Sequence, residues 1–175
     1  MKMKKIIAAI TAAVCMIMIF SGCSSPKASP EETVKAVVTQ LYTCPDKVLQ
    51  KSIGTPTIGA GASGAADMKK FAAQIQKKYG DYVSNELLAQ MQTGAVGYII
   101  EGNCERGGYT LTVQNVDVVV TDSHAEFTVA VAYTKATEDG ELTLSGNAQL
   151  DETGKVSWID LYDASYDLLQ TTLDW

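Results

Sequence analysis

Apolar residues at Val34, Val37, Val38, Leu41 and Tyr42 recur at the spacing of one helical face, while Lys35, Thr39 and Gln40 fall elsewhere around the same turns. The segment carries its own start signal. Ser29-Pro30-Glu31-Glu32 places serine at the cap, proline in the first turn and glutamate three residues on, with acids at the positive end of the helix. Pro45 ends it. A short second helix is predicted over residues 45–52, burying Val48 and Leu49. Residues 54–64 (GTPTIGAGASG) hold four glycines, a proline and no charge, and read as a connection. They lack the Gly-Lys-Ser/Thr ending that a phosphate loop needs. Asp67 is placed to cap a helix with Met68, Phe71, Ala72 and Ile75 on one side, Lys69, Lys70, Lys77 and Lys78 largely on the other, and Gly80 at its end. Those lysines read as a solvated face. Ser84 opens a further turn or two through Glu86, Leu87, Leu88 and Met91, up to Gly94.

From Tyr98 onward the period changes to two. Leu111 and Val113, then Val116, Val118 and Val120, then Phe127, Val129, Val131 and Tyr133, then Leu142 and Leu144 alternate with Thr, Gln, Ser and Asn. That pattern gives a sheet with one dry and one wet face, an antiparallel meander. Turn residues cluster at Asp122-Ser123, Glu138-Asp139-Gly140 and Glu152-Thr153-Gly154. A last strand is expected over 156–161, including Trp158, followed by a tail whose Tyr166, Leu169 and Leu173 are spaced for an amphipathic helix or turn. Helices followed by about four antiparallel strands predict an α+β domain with the helices on the dry face.

The first residues change where this domain is expected to work. Lys2, Lys4 and Lys5 precede an uncharged run from position 6 to 20, the layout of an export signal. At 15 residues that run is short for a spanning helix, which takes about 20. It closes on Phe20-Ser21-Gly22-Cys23, which resembles a bacterial lipobox, with Phe20 where leucine is usual. The resemblance covers only the leader. It implies cleavage before Cys23 and attachment of lipid to that thiol, where two acyl chains hold a protein to a bilayer far longer than one. An ordinary secretory signal with an incidental cysteine is the alternative. The expected organisation is a signal peptide at 1–22, a lipidated cysteine and tether at 23–29, and one domain at 30–175. The tether Ser24 to Ser29 reaches roughly 20 Å, mooring the body at the outer face of the cytoplasmic membrane, or at an outer membrane where the cell has one.

Removing Lys2, Lys4 and Lys5 with the leader leaves 11 basic against 20 acidic side chains, a formal charge of −9. Nucleic acid and an anionic bilayer surface would both repel such a chain, so neither is expected as its main binding surface. Cys44 and Cys104 remain after Cys15 leaves and Cys23 takes lipid. Outside the cytoplasm they either pair or stay as two separate buried thiols.

Element order, the segment YGDYVSNELLAQM before the sheet and the closing GKVSWIDL resemble the nuclear-transport-factor-two-like group, over about residues 30–162. This implies a curved sheet wrapped around the N-terminal helices into a cone. Some members of the group are ketosteroid isomerases and dehydratases, which need a buried base and hydroxyl donors inside the cone. The candidates for that interior are Tyr98, Tyr109, Tyr133, Trp158 and Asp160, Asp160 sharing a face with Val156 and Trp158; Asp117 is expected to face water. His124 is the single histidine and lies at a turn; without a CxxC pair, no zinc site or Ser-His-Asp arrangement assembles. The acidic turns lack the alternating ligands of a calcium loop. The preferred expectation is a noncatalytic module for an envelope protein, a peptide or a small apolar ligand, without cofactor or metal. The alternative is an isomerase or dehydratase using the cone.

Overall fold

The computed structural model describes residues 28–53, 64–93, 99–136 and 138–160. The leader with Cys23, most of the glycine-rich connection, Tyr98 and the tail from Leu161 lie outside the described residues.

Helix α1 (Pro30–Leu41) starts where its sequence says it should. Ser29 Oγ accepts from the Glu32 amide at 3.2 Å, and Glu32 Oε2 accepts from the Ser29 amide at 2.9 Å, a complete capping box. Val34, Val37 and Val38 are fully buried and Leu41 nearly so. Helix α2 (Lys47–Ile53) is capped by Asp46, whose Oδ1 accepts from the amides of Val48 and Leu49 at 3.0 and 3.1 Å. It buries Leu49, whereas Val48, about 100° around the helix from it, is 59% exposed.

Helix α3 (Gly64–Tyr79) begins three residues before the expected Asp67 cap. It buries Phe71, Ile75 and Tyr79, while Met68 near its start is exposed. Helix α4 (Asn85–Gln92) is capped by Ser84 Oγ on the Leu87 amide at 3.2 Å and buries Leu87, Leu88 and Met91. A fifth helix, α5 (Ile99–Gly107), replaces the extended chain expected after Tyr98. Gly108 terminates it at φ +69°, a conformation that costs glycine little. The β-branched pair Ile99-Ile100 and the mid-segment Gly102 argue locally against helix, but burial of Ile100 and Cys104 on one side outweighs that propensity.

Strands β1 (Thr110–Thr121), β2 (His124–Lys135), β3 (Glu138–Leu150) and β4 (Val156–Ile159) form an antiparallel meander in chain order, curved and unclosed. The protein is therefore α+β, with N-terminal helices against a four-stranded sheet. The β1–β2 hairpin turns through Asp122-Ser123, with Thr121 opposite His124 and Asp122 at φ 56°. The β2–β3 turn lies earlier than expected: Lys135 pairs with Glu138 and Ala136 takes φ 50°, so Glu138, Asp139 and Gly140 belong to β3.

Two irregularities set the faces. In β1 the register shifts between Val113 and Asn115, so the inward set steps from Leu111 and Val113 to Val116, Val118 and Val120. Between β3 and β4 it shifts again: Leu150 pairs with Val156 and Gln149 with Trp158. Helix α1 packs on β1, β2 and β4, and α4 packs on β4 and α3. Between helices and sheet, Val34, Val37 and Val38 share one core with Leu111, Phe127, Val129 and Leu144.

Candidate functional site

Of the residues expected in a cone interior, the described ones do not all come together at one point. Tyr109 is buried, and its hydroxyl accepts from Lys135 Nζ at 3.0 Å while the ammonium lies 4.4 Å from the ring centroid. Tyr133, on β2, is half-buried and crosses Gly140 of β3. Trp158 is 45% exposed, in contrast to its expected place beside Val156. The physical reason is the second bulge: the register shift around Ser157 turns Trp158 to the wet face, leaving Val156 and Ile159 inward. Asp160 is half-buried at the end of β4, its amide donating to the Asn147 carbonyl at 2.9 Å. Asp117 is exposed and accepts from Asn115 Nδ2 at 2.8 Å; His124 is exposed at the start of β2. Tyr98 lies outside the described residues.

Polar groups gather instead at the junction of α2, α3 and α5. Glu101 is only 4% exposed, and both its oxygens accept from the Asp46 amide, at 2.8 and 3.0 Å. Asp46 in turn caps α2 and pairs with Lys78 at 3.0 Å. Beside them Cys44 and Cys104 are joined in a disulfide, with Cα atoms 6.4 Å apart. The same loop is tied to β1, since Cys44 and Leu111 exchange backbone hydrogen bonds. Arg106 donates to Asn103 on the same helix.

The electrostatics follow from burial. Removal from water pushes the Glu101 carboxyl up, partly offset by the Asp46 amide and the Lys78 ammonium. Burial also draws Asp46 upward, but the Leu49 amide and Lys78 outweigh it and hold Asp46 below the usual carboxylate value. Burial, with the carboxylates of Asp46 and Glu101 adding to it, raises the Tyr79 phenol far above its ordinary value. A buried acid with a raised pKa is a candidate general acid or base. Here its oxygens hold the Asp46 amide and the adjoining Tyr79 is 1% exposed, so the cluster clamps the loop that leads into α2.

Next to the clamp a cleft of about 230 Å³ runs between α2 and α3, lined by Asp46, Val48, Leu49, Gln74, Lys77 and Lys78. It combines an exposed aliphatic side chain with the ammonium groups of Lys77 and Lys78 on the last turn of α3. A larger groove of about 830 Å³ lies at the start of α1, between Ser29, Pro30, Asp122, Leu150, Asp151 and Glu152. Asp151 is held below the usual carboxylate value first by the Thr153 hydroxyl, then by the amides of Thr153 and Lys155. Among the described residues no three His, Cys, Asp or Glu side chains gather as a metal site. No described helix is long and apolar enough to cross a membrane.

Sequence reading missed Glu101 as a buried group because the segment read as extended. The available signal was the spacing of Ile100 and Cys104, four apart, with Glu101 beside them and Gly108 as a stop.

The sequence matches no family model and no curated protein. Among solved structures it is similar to a de novo designed β-sheet protein determined by solution NMR, at 14% identity and a TM-score of 0.37, covering 74% of this chain and 86% of that one.

Proposed function

We propose that the chain is a lipid-anchored extracytoplasmic lipoprotein whose α+β body is a noncatalytic binding or assembly module for an envelope protein or peptide. The anchoring part is supported by the lysine-rich start, the short apolar run and the Ser21-Gly22-Cys23 boundary. The resemblance to the nuclear-transport-factor-two-like group stays part of this reading, with the helices seated against the curved sheet.

The observation that carries the noncatalytic part is the filling of the dry face. Val34, Val37, Val38, Phe127, Val129 and Leu144 occupy the space where an isomerase or dehydratase would hold its substrate. The buried acid, Glu101, belongs to the Asp46 clamp. What remains for a partner is surface, and the α2–α3 cleft offers Val48 as an aliphatic contact with Lys77 beside it.

A photo-crosslinking residue placed at Lys77 in the full-length chain, inside intact cells, tests this reading against the same residue at Thr143 on the wet face. The expected result is a discrete adduct from position 77 that position 143 does not give. Identical patterns from both positions, or none from either, contradict a partner at the cleft.

A further inference from the structure

The groove at the start of α1 has an occupant close at hand. Its walls come from two hairpin turns, Asp122-Ser123 and the one from Asp151 to Gly154, held together by the Leu150 amide donating to the Ser123 carbonyl at 2.8 Å. Its lining is apolar at Leu150 and Pro30 and carries the acids Asp122, Asp151 and Glu152. None of the described residues lining it is basic; Lys155, which follows Gly154, donates to the Gly80 carbonyl at 2.8 Å. The described chain begins inside this groove, because Ala28, Ser29 and Pro30 line it. One residue earlier stands Lys27, the single charge between Cys23 and Pro30.

We propose that this groove seats the segment just before it, with Lys27 held among Asp122, Asp151 and Glu152. One peptide step of about 3.8 Å separates the Cα atoms of Lys27 and Ala28, so the lysine head falls within roughly 10 Å of the groove wherever it turns. Each exposed pair is individually weak. The attachment is intramolecular, however, so a short linker keeps the local concentration high, on the order of millimolar or above. Pro26 stiffens the approach.

The seat has a consequence for presentation. From the groove, α1 leads away to Leu41, and Cys44 bonds to Leu111 near the start of β1, whereas Asp122 follows the end of that 12-residue strand. At about 3.3 Å per residue the two ends of β1 lie on the order of 35 Å apart. The groove thus lies at the far end of β1 from the Cys44–Leu111 bridge. A seated tether holds the acidic groove end toward an anchoring membrane, with Lys27 offsetting part of the charge that anionic headgroups would repel. The seat itself rests on the groove and Lys27; only this orientation rests on the anchor proposed above.

Zero-length carbodiimide cross-linking of the full chain, in its membrane or detergent extract and read by peptide mass spectrometry, tests the seat. The Lys78–Asp46 pair at 3.0 Å is the internal control for the chemistry. The expected result is a Lys27 link to Asp122, Asp151 or Glu152 that exceeds any link to the local competitors Glu31 and Glu32 at least threefold. The double variant Asp122→Asn/Glu152→Gln, which leaves the turn-holding Asp151 in place, is expected to lower that link at least twofold while the Lys78–Asp46 link persists. A formed Lys78–Asp46 link with Lys27 unlinked, or linked only to Glu31 and Glu32, overturns the seat. Intact mass of the same sample reports lipid on Cys23 separately, so a missing anchor and an empty groove are told apart.

Discussion

Glu101 directs both carboxylate oxygens onto the backbone amide of Asp46, at 2.8 and 3.0 Å, although the two residues stand 55 apart in the chain. This contact, the disulfide three residues further along α5 and the Cys44–Leu111 bridge fix the loop between α1 and α2 from three sides. The loop's one ionised cap, Asp46, is thereby set at the rim of the α2–α3 cleft.

Replacing Glu101 by alanine leaves the Asp46 amide without its acceptor, a loss of about 1–3 kcal/mol. Glu101→Gln keeps one acceptor oxygen and is expected to cost less. Its pH dependence is the sharper readout. The folded-state pKa of Glu101 is raised, so its contribution is fully present below the unfolded value, about 4.3, and declines as pH rises toward the folded one. Asp46 works in the opposite sense: its folded pKa is lowered, and its contribution is lost as pH falls through it. Urea midpoints of wild type and Glu101→Gln at pH 4 and pH 7 should show the variant gaining relative to wild type at the higher pH. A pH-independent difference contradicts the raised acid.

Cys44 and Cys104 close a loop with a sequence separation of 60, worth about 4 kcal/mol in the chain-entropy view. The double variant Cys44→Ala/Cys104→Ala should lose about 2–4 kcal/mol in urea unfolding. Thiol labelling of the unfolded, unreduced wild type should leave both positions unmodified, and modification of either contradicts the bond.

Gly146 and Gly140 both lie opposite an aromatic ring, and alanine at the two sites should behave differently. A Cβ on Gly146 would stand 2.5 Å from Phe127 Cζ, and Phe127 is 3% exposed in the core. A Cβ on Gly140 would stand 2.6 Å from the hydroxyl of half-buried Tyr133, whose ring has solvent to move into. Gly146→Ala is expected to cost about 1–3 kcal/mol, and Gly140→Ala less than half of that. Equal costs in denaturant titrations contradict the difference in confinement.

Trp158→Ser tests the face assignment of β4. With the indole on the wet face the change should stay within about 0.5 kcal/mol, whereas removing a core tryptophan costs roughly 3–5 kcal/mol. A large loss of thermal stability contradicts the outward orientation.

The parts legible in the sequence were those governed by local chemistry. Ser29 with Glu32, and Ser84 before Leu87, are caps whose hydrogen bonds form within three residues, so the letters alone locate both helices. The change of inward parity from Val113 to Val116 was visible as a step of three, and the structure gives it as the bulge around Gln114. Long-range packing hid the rest. Glu138-Asp139-Gly140 has better turn residues than Ala136, but Gly140 is needed in the strand under the Tyr133 ring, so the reversal falls earlier. Helix α5 depends on burial of Ile100 and Cys104 and on the bond to Cys44, none of which local propensity records. The bulge at Ser157 comes from pairing with β3 and moved Trp158 away from the other interior candidates. The Glu101–Asp46 contact joins α5 to the cap of α2 and was invisible for the same reason.

The most direct measurement is incorporation of a labelled fatty acid into the full-length chain in a bacterial host, with Cys23→Ala as its pair. Label entering the wild type and absent from the variant is the expected result. A wild-type chain that takes up none, or a variant that takes up as much, contradicts a lipid anchor at that thiol.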